Sequence, residues 1–464
     1  MTDLVPLTGS TGVKHPKLAL FTTPPTDISI SSYRMVPIQT FTTGINPVDF
    51  QVDPQEDYID LNRSYFEVEL ALKKRADGSN YTGADNVFPV NNLAHTLFKQ
   101  INVKLNGTLI SPQTDTYHYK AYLELLLNHD RDDGETILKP QGWYNGIDCP
   151  RVLTANKLDD ATPHDDFTRL SATQQETVKA LKAERAKYVG GARHVLRFKP
   201  NIEVFHMDKV LVPGVQLQIQ MYFNSPDLFM VGVAGGAAAR LTSEDVKVRL
   251  YLCQLRLNPS VYLELEKKHR VTRKPVSYTT VRGEVRTFNM QGNQQRFEIN
   301  NLFQGRIPNR VIVGMVLTEA FTGTLVQNPF NFGKFGLSSI RQLVRGEEYP
   351  YETLELVHDN STKDLRGYFR YLQATGCFGR QKGNMVRSDE WGQGKNCTLF
   401  VFDNAANGCL DSPVLNPKQS GEVQLILNFG AAPGTNLTIV VYGEFENLLE
   451  VDANKAVIYN VYER

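Results

Sequence analysis

Residues 214–224 read GVQLQIQMYFN, and residues 421–430 read GEVQLILNFG. In the first stretch Leu217, Ile219 and Met221 alternate with glutamines, which predicts a β-strand with one face on an apolar core. Such alternation is typical of antiparallel sheets, because strands of parallel sheets are usually buried on both faces. The second stretch repeats the wording about 200 residues later. The chain is therefore predicted to contain two related β-domains.

The order of the elements around these strands also occurs twice. In each half a strand ends in a tight turn, a short helix follows, and two long strands come after it. The turn, the helix and the two strand starts fall at Asn106-Gly107, Tyr119, Val215 and Val246 in the first half and at Arg345-Gly346, Leu365, Val423 and Leu437 in the second. The spacings differ between the halves, as expected when loops gain and lose residues. A duplicated β-domain with unequal loops is the simplest explanation.

Helical periodicity occurs only in short segments. Two segments place aromatic and aliphatic residues at positions i, i+3, i+4 and i+7. They are Tyr119, Tyr122, Leu123 and Leu126, and Leu365, Tyr368, Phe369 and Leu372. Each is predicted to be a helix that buries one stripe on a sheet edge, and Ser361 with Asp364 forms a capping box before the second. Residues 172–188 have few apolar positions and predict a solvated helix within an insertion.

These patterns divide the chain into four parts. Residues 1–45 are rich in Thr, Pro and Ser and predict an extended N-terminal arm. Residues 46–257 form the first β-domain, with a long loop insertion at residues 129–191. Residues 258–275 contain a short helix and a basic stretch and predict an inter-domain linker. Residues 276–464 form the second β-domain.

The composition excludes several classes of protein. The 464 residues include 50 Lys+Arg and 50 Asp+Glu, so the formal net charge is zero. A protein that coats nucleic acid would carry a strong positive charge, so such binding could come only from a local patch. No run approaches the ~18–20 apolar residues that span a bilayer, and no signal peptide is predicted, so we expect a chain that is not secreted. The 5 cysteines form no C-x-x-C motif and predict reduced thiols.

Residues for catalysis or for cofactor binding are not predicted anywhere. The sequence has no Walker A motif and no G-x-G-x-x-G spacing in a βαβ unit. Residues 129–135 resemble an EF-hand loop only superficially, because His129 and Arg131 occupy positions that require oxygen ligands. The 9 histidines include no H-x-H pair that would favour a jelly-roll metal site. We therefore expect no catalytic, cofactor or metal residues and no enzyme activity.

One basic cluster is a candidate contact site. It consists of Lys267, Lys268, Arg270, Arg273 and Lys274. Such a cluster could contact nucleic acid or serve as a nuclear import signal. No aromatic residue lies between the charges to stack on bases, so a solvated linker is the favoured interpretation. Contact with a genome is then at most non-specific.

Five segments carry a resemblance to a known family. They are residues 56–70 (EDYIDLNRSYFEVEL), 91–107 (NNLAHTLFKQINVKLNG), 117–128 (YHYKAYLELLLN), 328–332 (NPFNF) and 440–460 (VVYGEFENLLEVDANKAVIYN). In this order they resemble the double jelly-roll major capsid proteins of double-stranded DNA viruses. The wording is similar to that of the hexon-like capsid proteins of Maverick/Polinton elements and adintoviruses, including endogenous copies in animal genomes.

The resemblance implies a fold, an assembly and a location. The implied fold is all-β, with two tandem eight-stranded antiparallel jelly rolls and short helices in the loops. The implied assembly is a homotrimer, a pseudo-hexagonal capsomer that tiles an icosahedral shell around a double-stranded DNA genome. The implied partners are neighbouring capsomers, penton-like single jelly-roll proteins and other minor capsid proteins, and an internal membrane stays open. The protein would be made in the host cytoplasm, with the nucleus as an option for assembly, and would end in the virion.

Loop placement adds expectations about interfaces. Residues 129–191 and 375–396 are expected on the outer surface of the trimer. The arm up to Tyr33 and residues 459–464 are expected to tie capsomers to neighbours or to minor proteins. Two other classes stay open at this stage. One is a carbohydrate-binding or adhesive β-sandwich, which would need a secretion signal, and the other is a jelly-roll enzyme, which would need clustered ligands.

Overall fold

The structure is a computed structural model that shows a predominantly β-protein. It describes residues 26–41, 44–83, 85, 87–144, 186–232, 236–356, 365–380, 383–394, 396–406 and 415–459, together with residues 20, 23, 179 and 182–184. The capping box predicted from Ser361 and Asp364 lies outside the described residues. The helix predicted over residues 172–188 lies largely outside them as well.

Within these ranges the strands and helices are as follows. The first half contains β1 (Ile30–Gln39), β2 (Val48–Val52), β3 (Tyr58–Leu70), β4 (Lys73–Lys74), β5 (Val87–Pro89), β6 (Phe98–Leu105), β7 (Thr108–Leu109), β8 (His194–Phe198), β9 (Leu217–Phe223), β10 (Met230–Gly232), β11 (Ala239–Arg240) and β12 (Val246–Leu257). The second half contains β13 (Val276–Met290), β14 (Arg296–Ile299), β15 (Arg310–Leu317), β16 (Leu337–Val344), β17 (Glu347–Glu348), β18 (Leu354–Glu355), β19 (Leu399–Asp403), β20 (Val423–Phe429), β21 (Leu437–Val451) and β22 (Val457–Ile458). The α-helices are α1 (Leu93–Thr96), α2 (Tyr117–Asn128), α3 (Arg131–Glu135), α4 (Pro226–Phe229), α5 (Pro259–Val271), α6 (Thr318–Thr322), α7 (Arg366–Ala374) and α8 (Cys377–Arg380), and 3-10 helices cover Lys139–Gln141, Val189–Gly191 and Glu203–His206.

The sheet topology is the same in the two halves. In the first half the strand orders are β1-β12-β3-β8 and β2-β9-β6-β7. In the second half they are β13-β21-β15-β19 and β14-β20-β16-β17, with β22 and β18 paired at the sides. When these eight strands are numbered along each half, both halves show the orders 1-8-3-6 and 2-7-4-5, and neighbouring strands are antiparallel. Two facing sheets with these orders make a jelly roll. The predicted fold of two tandem jelly rolls is confirmed.

The core of each jelly roll follows from strand alternation. In β9 the side chains of Leu217, Ile219, Met221 and Phe223 are buried, and the residues between them are half-buried. The same face of β20 buries the side chains of its alternate apolar residues. Burial of each large apolar side chain contributes roughly 1.5–3 kcal/mol to folding. Alternation therefore fixes which face of each strand points inward, as the sequence predicts.

Matching tight turns mark the repeat at the level of the backbone. Asn106 and Gly107 have φ of 45° and 83°, and Arg345 and Gly346 have φ of 55° and 86°. Two consecutive residues with positive φ are typical of the type I′ hairpin turn, which glycine and asparagine adopt readily. Arginine is unusual there, and the Arg345 guanidinium donates two hydrogen bonds to the carbonyl of Ser420, at 3.1 and 2.9 Å. Both predicted turns are therefore present.

Strand β1 lies in a sheet, where the sequence predicts part of an N-terminal arm. It pairs antiparallel with β12, for example Tyr33 with Leu255 and Ile38 with Leu250. The strand lies at the edge of its sheet and most of its side chains are exposed. Such a strand has no apolar alternation, which is the signal that sequence patterns rely on. The prediction that residues 1–45 form an arm is therefore wrong for residues 30–39, and we propose that the first jelly roll begins at Ile30.

Helix α5 connects the two jelly rolls. The Asn258 side chain caps its first turn by accepting a hydrogen bond from the backbone N–H of Ser260, at 3.2 Å. The helix ends at Val271, and β13 begins five residues later. A helix in this place agrees with the linker predicted over residues 258–275, whose limits stay a proposal. Among the helices of the described ranges, none is long and apolar enough to cross a membrane.

Candidate functional site between the two jelly rolls

Helix α2 lies between the two jelly rolls. Ten of its 12 residues are buried, and a helix that is buried nearly all round must pack on more than one neighbour. It contacts α1 and β6 in the first jelly roll and β13 in the second. The sequence predicts this helix but only one buried stripe. The structure shows instead that α2 belongs to the interface between the halves.

Aromatic rings make the apolar part of this interface. The ring of Tyr122 on α2 stacks on that of Phe330, with centroids 4.1 Å apart and planes 8° apart. The ring of Tyr119 stacks on that of Phe321 at 5.3 Å, and its hydroxyl donates a hydrogen bond to the carbonyl of Pro329 at 3.0 Å. Stacked pairs of this kind add about 0.5–1.5 kcal/mol beyond the area that they bury. Two of the five resemblance segments are thus in direct contact.

A buried polar cluster continues the interface on the next turn of α2. The Glu124 carboxylate accepts hydrogen bonds from the hydroxyl of Tyr442 and from the side-chain amide of Asn201, both at 2.9 Å. The Lys120 ammonium lies 3.7 Å from the same carboxylate. Burial raises the pKa of Glu124, because a charged carboxylate is poorly solvated there. The cluster therefore joins α2 to β21 of the second jelly roll through groups that satisfy one another.

Glu203 forms a second buried contact between the halves. Its carboxylate accepts a hydrogen bond from the hydroxyl of Tyr459, at 2.7 Å. The pKa of Glu203 is raised to about 7, mainly by burial and slightly by the charge of Glu124, whereas Lys120, the Tyr459 hydrogen bond and Arg282 oppose the shift. The carboxyl is therefore half-protonated near neutral pH, unlike an exposed glutamate.

The C-terminal segment fastens the second jelly roll to the first. The carbonyl of Lys455 accepts a hydrogen bond from the side chain of Asn106 at 2.6 Å, and the Lys455 ammonium lies 3.8 Å from the carboxylate of Glu266 on α5. Tyr459 is half-buried against Glu203 of the same chain. Tyr459 thus makes a contact within its own chain, and the expected role of residues 459–464 in tying capsomers together stays a prediction. Residues 460–464 lie outside the described part of the chain.

Replacing Glu203 by glutamine should remove a pH dependence of stability. The pKa of Glu203 is raised in the folded chain to about 7, and in the unfolded chain it is roughly 4.3. Between these values the unfolded chain has lost this proton and the folded chain keeps it, so wild-type stability falls as pH rises. The loss reaches roughly 4 kcal/mol, since each unit of difference between the folded and unfolded pKa corresponds to about 1.4 kcal/mol. Urea unfolding at pH 4.5 and pH 8 should show that Glu203→Gln gains stability over wild type at pH 8 only. An equal difference at both pH values would contradict the assignment.

The interface has the chemistry of a structural contact. A cavity of about 1280 Å³ opens beside it, lined by side chains of both halves that include Lys120, Glu203, Arg310 and Glu444. Of these charges, Arg310 and Glu444 form an ion pair at 3.5 Å between neighbouring strands of the second jelly roll. No group of three or more His, Cys, Asp or Glu in the described residues could hold a metal ion. Burial also raises the pKa of Cys397, a free thiol, which suppresses thiolate chemistry.

The predicted basic cluster lies elsewhere, at the C-terminal end of α5. Two of its five members form ion pairs on their own helix, Lys268 with Glu264 and Arg270 with Glu266, each at 2.6 Å. Pairs at i, i+4 on an exposed helix contribute about 0.3–0.5 kcal/mol and reduce the local positive charge. This arrangement favours the solvated linker over a nucleic-acid contact. The remaining members, Lys267, Arg273 and Lys274, flank the pairs, and a role in contact stays a prediction.

The two loop insertions meet in the structure. Arg131, in the first insertion, forms an ion pair with Glu390 of the second at 3.0 Å, and the Glu390 side chain is almost fully buried. Their expected place on the outer surface of a trimer stays a prediction. Sequence patterns did not identify Phe330, Glu203 or Tyr442 as interface residues. The only signal was that Phe330 and Tyr442 belong to resemblance segments, whereas Glu203 lies in a short 3-10 helix outside them.

Comparisons with known proteins agree with this architecture. No family model matches the chain. An uncharacterized protein of Caenorhabditis elegans is 22% identical over 368 residues, which cover 78% of this chain and 80% of that protein. A chain in the structure of the Sputnik virophage superposes with a TM-score of 0.61 at 11% identity, over 99% of this chain and 95% of that one.

Two further structures have a similar fold. PBCV-1 VP54 has a TM-score of 0.55 at 11% identity, over 95% of this chain and 99% of that one. The mavirus major capsid protein has a TM-score of 0.52 at 12% identity, over 98% and 96%. By fold, the chain is a double jelly-roll protein. In each of these comparisons the similarity spans both jelly rolls.

Proposed function

We propose that the chain is a major capsid protein of a double-stranded DNA virus or of a Maverick/Polinton-type element. The main support is the pair of jelly rolls, built with one strand order and packed on each other through α2 and the aromatic contacts of Phe330. The mavirus major capsid protein has a similar fold over nearly its full length. The contacts between the two halves support a structural role.

The proposed assembly is a homotrimer. Three chains with two jelly rolls each would form a ring of six similar barrels, which gives a pseudo-hexagonal tile. Such tiles would cover an icosahedral shell together with minor capsid proteins, including a penton-like single jelly-roll protein at the vertices. The proposed location is the virion, with any genome contact non-specific.

Light scattering coupled to size-exclusion chromatography tests this proposal. The purified chain should elute as a species near three times 52.3 kDa, and negative-stain images of that peak should show a hexagonal outline. Dilution over two orders of magnitude should leave the mass unchanged if the interface is that of an obligate oligomer. A monomer at every concentration would overturn the proposal.

A further inference from the structure

Two exposed apolar surfaces lie on β1 and α7. Through the internal repeat, these two elements correspond to the elements that form the interface between the jelly rolls. The first, here called the β1 surface, is the outward face of β1, where the side chain of Tyr33 is 64% exposed and that of Ile30 is 48% exposed. β1 forms the end of its sheet and, among the described residues, pairs only with β12. The second, the α7 surface, consists of Leu365, Phe369 and Phe378, which are 52%, 42% and 61% exposed.

The α7 surface is a continuous apolar patch. The rings of Phe369 on α7 and Phe378 on α8 pack edge to face, with centroids 5.0 Å apart. The opposite side of α7 is buried in its own jelly roll, where Tyr371 is almost inaccessible. Exposed aromatic pairs of this kind are enriched at interfaces between proteins.

The repeat shows what each surface corresponds to. By strand order β1 corresponds to β13, because each is the first strand and the edge of the same sheet. By position after the matching hairpin turn, α7 corresponds to α2. Inside the chain, α2 packs on β13, where Gly283 lies against the Glu124 and Tyr442 side chains. The first-half helix therefore covers the second-half edge strand.

The corresponding contact, between the second-half helix α7 and the first-half strand β1, is not among the main contacts within one chain, and both surfaces are exposed there. We propose that the α7 surface of one copy packs on the β1 surface of a second copy, and so repeats the internal contact between chains. This inference rests on the proposed function and identifies the faces through which its copies meet.

The proposed contact is heterologous, because each copy uses one surface to bind and the other to be bound. Heterologous contacts form closed rings when the rotation between copies returns to the start. Around the ring, the contact between the two jelly rolls of one chain would then alternate with a similar contact between neighbouring chains. Burial of Tyr33, Phe369 and Phe378 would also remove the apolar patches that a monomer exposes.

Single charge substitutions on the two surfaces test the proposal. Tyr33→Asp and Phe369→Asp should each convert the wild-type trimer into monomers, with a threefold loss of mass by light scattering. Leu263→Asp is the matched control, because Leu263 is 67% exposed on α5 and belongs to neither surface. The control should remain trimeric. Circular dichroism at low temperature should be unchanged in all three variants, since the replaced side chains are exposed, whereas the melting temperature should fall only in the two variants that lose the trimer.

A mixture of the two variants gives a sharper readout. Tyr33→Asp keeps an intact α7 surface and Phe369→Asp keeps an intact β1 surface, so one junction can form between them. An equimolar mixture at high concentration should therefore contain a species of two chains that neither variant forms alone. A mixture that stays monomeric would overturn the pairing of these two surfaces.

The outcomes separate this inference from the proposed function. If the wild-type chain is a trimer and both Asp variants are trimers as well, the assignment of the surfaces is overturned and the capsomer proposal is left intact. A wild-type chain that is monomeric throughout would overturn the capsomer proposal and with it this inference. Loss of the trimer in Leu263→Asp as well would show a general effect of charge and would also overturn the assignment.

Discussion

Replacing Phe330 by alanine should lower the free energy of unfolding by about 3–5 kcal/mol. The Phe330 side chain is 1% exposed and stacks on Tyr122, with Tyr119 at its edge. Truncation would remove the transfer free energy of the ring and leave a cavity at the centre of the interface, where α2 is held on both sides and cannot collapse inward. Guanidinium unfolding followed by fluorescence reports this directly, because the Trp143 ring lies 5.8 Å from that of Tyr122.

Two variants calibrate the Phe330 result. Phe330→Leu retains most of the apolar volume and should cost less than half as much as the alanine variant. Leu263→Ala removes an exposed side chain and should stay within about 0.5 kcal/mol of wild type. If Phe330→Ala were as mild as Leu263→Ala, the stacked pair would not hold the two jelly rolls together.

The fold is the part that local sequence predicts well. Alternation in β9 determines which side chains enter the core, and positive-φ turns at Gly107 and Gly346 set the register of two hairpins. Both signals depend on residues that are close in sequence. Because they occur twice in the same order, the duplication was also predicted correctly.

Strand β1 is a part of the fold that local sequence does not predict. Its side chains are mostly exposed because it lies at a sheet edge, so the residues around Tyr33 show no regular alternation of buried and exposed positions. Only the pairing with β12, more than two hundred residues away, makes it a strand. Sequence patterns identify strands by their buried apolar positions, so an edge strand with few buried side chains is not predicted.

The interface between the jelly rolls could be predicted only in part. The period of Tyr119 and Tyr122 predicts a helix with an aromatic stripe, but no local pattern tells that the stripe meets Phe330 in the other half. Glu203 likewise accepts its hydrogen bond from Tyr459, a residue from the far end of the chain. Contacts at such separations depend on the tertiary arrangement of two complete domains.

Replacing Trp391 by alanine should lower the free energy of unfolding by about 3–5 kcal/mol. The indole is 7% exposed, packs edge to face on Phe400 with centroids 5.7 Å apart, and donates a hydrogen bond to the carbonyl of Leu399 at 3.0 Å. It also covers Gly367 on α7, where a Cβ would overlap the ring. Chemical unfolding followed by circular dichroism measures the loss in the variant, whose only remaining tryptophan is Trp143.

The effect of Gly367→Ala on the free energy of unfolding should change sign when Trp391 is replaced by alanine. In the wild-type background the new methyl group overlaps the Trp391 ring, and overpacking of about 1–3 kcal/mol exceeds the gain of about 1 kcal/mol in helix propensity. In the Trp391→Ala background the space is open, so the same substitution should stabilise the chain by up to about 1 kcal/mol. A double-mutant cycle measures this coupling, which should be about 2 kcal/mol or more. Equal effects in both backgrounds would mean that Gly367 is required by the backbone of α7 and not by the close approach of the indole.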